Sequence, residues 1–219
     1  MRLDDLRPSE NVDDRRGEDY GGGGGFGGRG MVFGGGGLGL VVLLVAMFFG
    51  VDPSQLLNGA GPTPQRQVRQ NVGDCKQDAD CNFAIRVIGS AEDVWPALLQ
   101  EKGVRFTPAT FTPYDYATPT GCGTGQSSAG PFYCPGDQHI YLDLSFFNEL
   151  STRFGVSGEF ARAYVIAHEY GHHIQELMGT MDRGSMGSYG PQRGADSDSV
   201  KTELQADCYA GVWAFHANQ

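Results

Sequence analysis

The stretch Ala167-His168-Glu169-Tyr170-Gly171-His172-His173 sets two imidazoles four residues apart, with a carboxylate next to the first. On an α-helix, residues four apart stack on one face, so His168 and His172 can converge on one metal ion. Glu169 lies about 100° further round and can flank the ion without ligating it. Zinc (Zn2+) held this way lowers the pKa of a water towards about 7, and the neighbouring carboxylate can take its proton as it attacks a carbonyl. Such a site keeps three protein ligands and one open position, so a third ligand must come from elsewhere. Glu203-Leu204-Gln205-Ala206-Asp207 supplies it: Glu203 follows His172 by 31 residues, on a separate predicted helix. Asp207, one turn further on the same face, can accept a hydrogen bond from the free N–H of a ligating imidazole and fix its tautomer. Ala206 lets the two helices approach closely. The expected roles are therefore His168, His172 and Glu203 as zinc ligands, Glu169 as general base and then acid, and Asp207 as the group that orients a ligand.

The bland alternative is a helix with two hydrogen-bonded structural histidines and an exposed Glu169; the second element, Glu203 to Asp207, weighs against it. An extended HExxHxxGxxH pattern does not fit, because Gln175 stands at the glycine position and Met178 at the third histidine. His173 faces away from the His168–His172 stripe and is left out of the site. His139 and His216 remain candidates for stabilising an oxyanion. Cys208 reads as a small buried apolar residue rather than a reactive thiol.

These residues need helices to carry them. Helices are predicted over 145–153, 158–178 and 200–217, with a polar, Gly-rich loop over 179–199. Further helices are expected over 80–88 and 90–102, with Pro96 marking the true first turn of the second. Residues 104–135, rich in Thr, Pro, Gly and aromatics, read as extended segments and turns. A strand is expected over 139–144, where Ile140, Leu142 and Leu144 alternate with Tyr141 and Asp143. It is the candidate edge strand along which a substrate would pair. No internal repeat is visible.

The rest of the chain differs in kind. Of its 219 residues 34 are Gly, and fourteen of those fall between Gly17 and Gly39. Residues 1–30 read as a disordered, Gly-rich cytoplasmic tail. Residues 31–51 carry no charge and are just long enough to cross about 30 Å of hydrocarbon as one helix. They lack the position and cleavage site of a secretory signal peptide. Residues 52–73, with Pro53, Pro62 and Pro64, form a linker, and the folded domain spans 74–219. Arg15, Arg16 and Arg29 before the span are nearly balanced by Arg66 and Arg69 after it, so the basic bias favours a cytoplasmic N-terminus only slightly.

Four of the five cysteines follow the span in turn-rich sequence. Local disulfides Cys75–Cys81 and Cys122–Cys134 are expected among three possible connectivities, in an oxidising compartment. A four-cysteine zinc site is the rival, but the usual CxxC spacing is missing. The net charge is −10, and past residue 51 there are 11 Lys+Arg against 19 Asp+Glu. That acidity argues against nucleic acid as a partner.

The HExxH pattern with a downstream glutamate resembles the gluzincin metallopeptidases. Gly130-Pro131-Phe132-Tyr133-Cys134-Pro135, then Ile140-Tyr141-Leu142-Asp143-Leu144-Ser145-Phe146-Phe147, then HEYGHH, then ELQADCYAGVWA together resemble the bacterial neutral zinc metallopeptidase family. The resemblance implies an N-terminal membrane anchor and an α+β, zincin-like metallopeptidase domain with an active-site helix and a small sheet. It also implies Zn2+, a peptide or protein substrate, and a single-pass protein of the bacterial inner membrane with its catalytic domain periplasmic or extracellular. Members of the family continue beyond the last residues here, so a C-terminally truncated domain is expected. A catalytically silent zincin-fold binding or scaffold protein is the alternative, and a non-peptidase metal hydrolase would use the same ligands.

Overall fold

The computed structural model describes residues 5–18, 75–156, 158–181 and 197–217. The predicted membrane-spanning run 31–51, the linker 52–73 and most of the loop 179–199 lie outside the described residues. Among the described residues, no helix is long and apolar enough to cross a membrane.

The first helix, α1 (Ala79–Glu101), starts where the Asp78 carboxylate accepts from the backbone N–H groups of Asp80 and Cys81. It is continuous, where the sequence suggested a break between two shorter helices. Pro96 sits inside it, held there by buried Trp95 and Leu99, whose packing outweighs the lost backbone hydrogen bond. Gly89 is not a breaker either. A Cβ at that position would lie 2.2 Å from the Arg7 carbonyl oxygen, so the missing side chain admits another segment of the chain.

Strands β1 (Thr110–Tyr114), β4 (Phe132–Cys134) and β5 (His139–Asp143) form one sheet in the order β1-β5-β4. β1 runs parallel and β4 antiparallel to β5. A hairpin of β2 (Ala117–Thr120) and β3 (Gly123–Gln126) stands apart from it. The predicted strand over 139–144 is therefore present but central, with a neighbour on each side, so it cannot offer a free edge. Alternation had suggested a half-buried strand; both of its faces are covered. Ile140 and Leu142 enter the main core, while Tyr141 packs with Tyr114, Cys134 and Phe132. Disulfides join Cys75 to Cys81 and Cys122 to Cys134, the local pairing.

Residues 5–18 correct the reading of 1–30 as a disordered tail. They lie along the outer edge of β1, with parallel bridges Val12 to Phe111 and Arg15 to Tyr114. The Asp13 and Arg15 N–H groups donate to the Phe111 and Pro113 carbonyls, and Phe111 N–H donates to Asn11, each at 2.9 Å. This stretch holds chiefly by backbone pairing and ion pairs, with Leu6 and Val12 packed against the core, which is why composition alone marked it as disordered.

Short connections lead from β5 into α2 (Phe146–Phe154) and from α2 into α3 (Glu159–Leu177); α4 (Asp198–His216) follows after residues that lie mostly outside the described ones. α2 ends on Gly155 in the left-handed region (φ 63°), and α4 is capped by Ser197. α3 packs against α1, α4 and β4, at the centre of the molecule. At Gly171, a Cβ would come within 2.8 Å of the Ala206 carbonyl oxygen on α4. We therefore expect Gly171→Ala to force the two helices apart and destabilise the fold by about 1–3 kcal/mol. Urea denaturation of the variant beside the parent chain measures it; an unchanged midpoint would show that the helices have room to spare.

Candidate metal centre

α3 runs through the core, and His168, Glu169 and His172 face α4 and the sheet with at most 9% of each residue exposed. Their spacing stacks the two imidazoles on one side of α3, with ring centroids 4.8 Å apart and edge to face. Glu203, on the second turn of α4, reaches across the Gly171–Ala206 contact. Its Oε2 lies 3.2 Å from His168 Nε2 and 3.5 Å from His172 Nε2. The three donor atoms all fall within 4.8 Å of one another. Zinc bonds of about 2.0–2.1 Å in a tetrahedron require donors about 3.3–3.4 Å apart, so this set of two nitrogens and one oxygen fits the ion.

Behind the donors, the imidazoles are held by different groups. Asp207 accepts from His168 Nδ1 at 2.8 Å and also from the Tyr164 hydroxyl. His172 Nδ1 donates instead to Gln175 Oε1 at 2.8 Å. Gln175 is fully buried, and its amide nitrogen donates to the Thr202 carbonyl at 2.7 Å and to Gln205 Oε1 at 3.0 Å. One side chain thus sets a tautomer on α3 and ties α3 to α4. Both Nδ1 atoms being engaged as donors leaves each Nε2 directed at Glu203 and free to ligate. Gln175 and Tyr164 escaped the sequence reading. Gln175 sits three residues after His172 and shares its face, a spacing that could have raised it as a partner.

Charge organises the cluster. Burial would push His168 down, but its hydrogen bonds to Asp207 and Glu203 prevail and lift it from 6.5 to about 10. Burial likewise opposes, and the bond to Glu203 drives, an upward shift of His172. Glu203 shows the reverse: burial alone would raise it, yet hydrogen bonds from the two imidazoles bring it down to about 2. Glu169, 2% exposed, is pushed up by burial. Its carboxylate meets the Tyr133 backbone N–H of β4, while its Oε1 has no hydrogen-bond partner among the described residues.

The remaining candidates lie elsewhere. His173 is fully buried, bonded to the Thr107 carbonyl at 2.7 Å and the Tyr133 hydroxyl at 3.0 Å, and takes no part in the cluster. His139 pairs with Thr112 Oγ1 at 2.9 Å on β5, and His216 packs edge-on against Phe215 at the end of α4. Neither is brought to the donors. Cys208 is exposed, contrary to the expectation of burial, because it sits on the face of α4 turned from α3.

Two measurements follow from this geometry. Gln175→Ala should weaken zinc binding about 10- to 100-fold, read by competition with a chromophoric chelator; unchanged affinity would show that the Gln175 bond does not orient His172. Zinc must also displace the protons shared with Glu203. Because the His168 value is raised, its proton stabilises the metal-free fold fully below pH 6.5, and that contribution is lost as pH rises through about 10. Zinc affinity should therefore climb across that window, about tenfold per pH unit for each proton released. Calorimetry at pH 7 in buffers of different ionisation enthalpy should detect at least one proton released per zinc.

Comparisons with known proteins point to the same metal. Residues 1–219 match the family described as "Putative neutral zinc metallopeptidase". The chain is 40% identical over 223 residues to "Uncharacterized protein YpfJ" of Escherichia coli (strain K12), covering 100% of this chain and 76% of that protein. It is 42% identical over 181 residues to "Uncharacterized protein Rv2575" of Mycobacterium tuberculosis (strain ATCC 25618 / H37Rv), covering 79% of this chain and 59% of that protein. No solved structure matches it. A family match along its whole length, on a chain that gathers two imidazoles and a carboxylate at zinc spacing, makes this protein a member of the neutral zinc metallopeptidase family.

Proposed function

We propose that this chain hydrolyses peptide bonds as a zinc-dependent peptidase built on a zincin-like arrangement of α3, α4 and the sheet. The observation that carries the reading is a buried carboxylate oxygen, Glu169 Oε1, with no partner beside three converging donors. A buried acceptor left unpaired is costly, and a reacting proton is what would pair it.

His168, His172 and Glu203 would hold the ion. Bound zinc supplies Lewis acidity, polarising a scissile carbonyl and acidifying water. Everything else falls to the chain. Glu169 takes a proton at Oε1, and burial, by raising its affinity for that proton, lets it carry the proton until the leaving amine accepts it. The Tyr133 N–H fixes the carboxylate while this happens. Asp207 and Gln175 keep both imidazoles turned the right way.

The strand beside this machinery is β4. Among the described residues it is the outer strand of its sheet, whereas the other side of the sheet is covered by residues 5–18 along β1. An extended peptide is proposed to lie along β4, next to Glu169. This replaces the strand over 139–144 as the docking edge. The chain is further proposed to sit at the bacterial inner membrane through residues 31–51. The two disulfides support a metal-site domain in an oxidising compartment, periplasmic or extracellular.

Glu169→Gln should bind zinc as tightly as the parent chain and lose all measurable cleavage of a diverse peptide mixture, read by mass spectrometry. Cleavage undiminished in the variant would remove Glu169 from the mechanism. Zinc bound with no cleavage by either chain would favour the silent binding-protein reading.

A further inference from the structure

Residues 5–18 and the metal-site domain are one folded unit. Ser9, 1% exposed, donates its backbone N–H to the Ile85 carbonyl at 2.8 Å and its hydroxyl to Glu92 at 2.6 Å. Asn11 donates to the same Glu92 oxygen, and Arg7 bridges Glu92 and Asp93. Arg16, 6% exposed, is clamped between Asp14 and Asp78. Arg15 donates to the Pro119 carbonyl, and Gly17 N–H donates to Asp115. On the domain side, Gly89 leaves the gap that the Arg7 carbonyl fills. The contact is specific at both ends of the segment and on both partners.

A single crossing of the bilayer by residues 31–51 forbids this contact. It would put residue 18 on one side and residue 75 on the other, with about 30 Å of hydrocarbon between them. Residues 52–74 cannot lead back, because they include Arg66 and Arg69 and hold no second apolar run. Exchange of the segment with a neighbouring copy does not help, since copies inserted alike have all their domains on one side.

We infer that residues 5–18 and the metal-site domain lie on the same side of the membrane. This rests on the proposed membrane attachment through residues 31–51. Two features of the sequence agree. Gly34 to Gly37 dilute the first half of the run, and the densely apolar part, residues 38–51, is fourteen residues long, short of the about twenty that a spanning helix needs. Basic residues also flank the run almost equally, so charge does not drive its two flanks to opposite sides. Arg15 and Arg16 are in any case engaged by the domain. With the disulfides in an oxidising compartment, the N-terminus is exported together with the domain.

The test uses the full chain with a short epitope at each terminus, in oriented bacterial membranes. Carbonate-washed right-side-out vesicles should lose both epitopes to added protease, and inverted vesicles should keep both. Loss of one epitope from each vesicle type overturns the inference while leaving membrane attachment intact. Release of the chain by the carbonate wash overturns the attachment reading and the inference with it. Hydrogen exchange on the membrane-bound chain provides a second readout. The amides of Ser9, Asp13 and Arg15 should exchange far more slowly than in a free peptide; exchange at the free-peptide rate would show the segment undocked and overturn the inference.

Discussion

The site depends on how closely α3 and α4 approach. Two donors sit on one helix and the third on another, so their convergence is decided by backbone separation and not by side-chain choice alone. Gly171 lies between His168 and His172 and meets the Ala206 backbone, which lies between Glu203 and Asp207. Both residues lack bulk at the one place where bulk would push Glu203 out of reach of the imidazoles. Gln175 strengthens the same contact one turn later by bonding to Thr202 and Gln205. The helix contact and the donor geometry are thus one feature of the molecule, and what loosens one loosens the other.

Electrostatics holds this arrangement together without an ion. Burial alone would push a carboxyl up, but hydrogen bonds from His168 and His172 hold Glu203 below the usual carboxylate range. A divalent cation held by the same three donors would take the place of the protons in those hydrogen bonds. Glu169 stands outside that exchange: it is buried and anchored by a backbone N–H from β4, and one oxygen is left over. The disulfide from Cys122 to Cys134 secures the end of the same strand. The edge proposed for substrate and the carboxylate proposed as base are therefore set by a common element.

Much of the site was legible in the sequence because its determinants are local. The spacing of His168, Glu169 and His172, and that of Glu203 and Asp207, project onto helix faces by periodicity alone. The local pairing of the cysteines was legible for the same reason. What escaped depends on distant partners. Alternation in Ile140, Leu142 and Leu144 shows a strand but cannot count its neighbours, so a central strand was read as an edge. Residues 5–18 carry charges of both signs and little apolar surface, and their order comes from a strand about 100 residues away. Pro96 and Gly89 read as breaks in α1 because local propensity cannot register the burial of Trp95 or the approach of Arg7. Gln175 looked only like a mismatch to a longer histidine motif, since its role requires knowing that α4 lies against it.

X-ray absorption at the zinc edge of the zinc-loaded chain tests the central claim most directly. Donation by His168, His172 and Glu203 predicts two imidazole nitrogens at about 2.0–2.1 Å, oxygen donors completing the shell, and no sulfur. A sulfur contribution at about 2.3 Å, or a shell with fewer than two imidazoles, would contradict it.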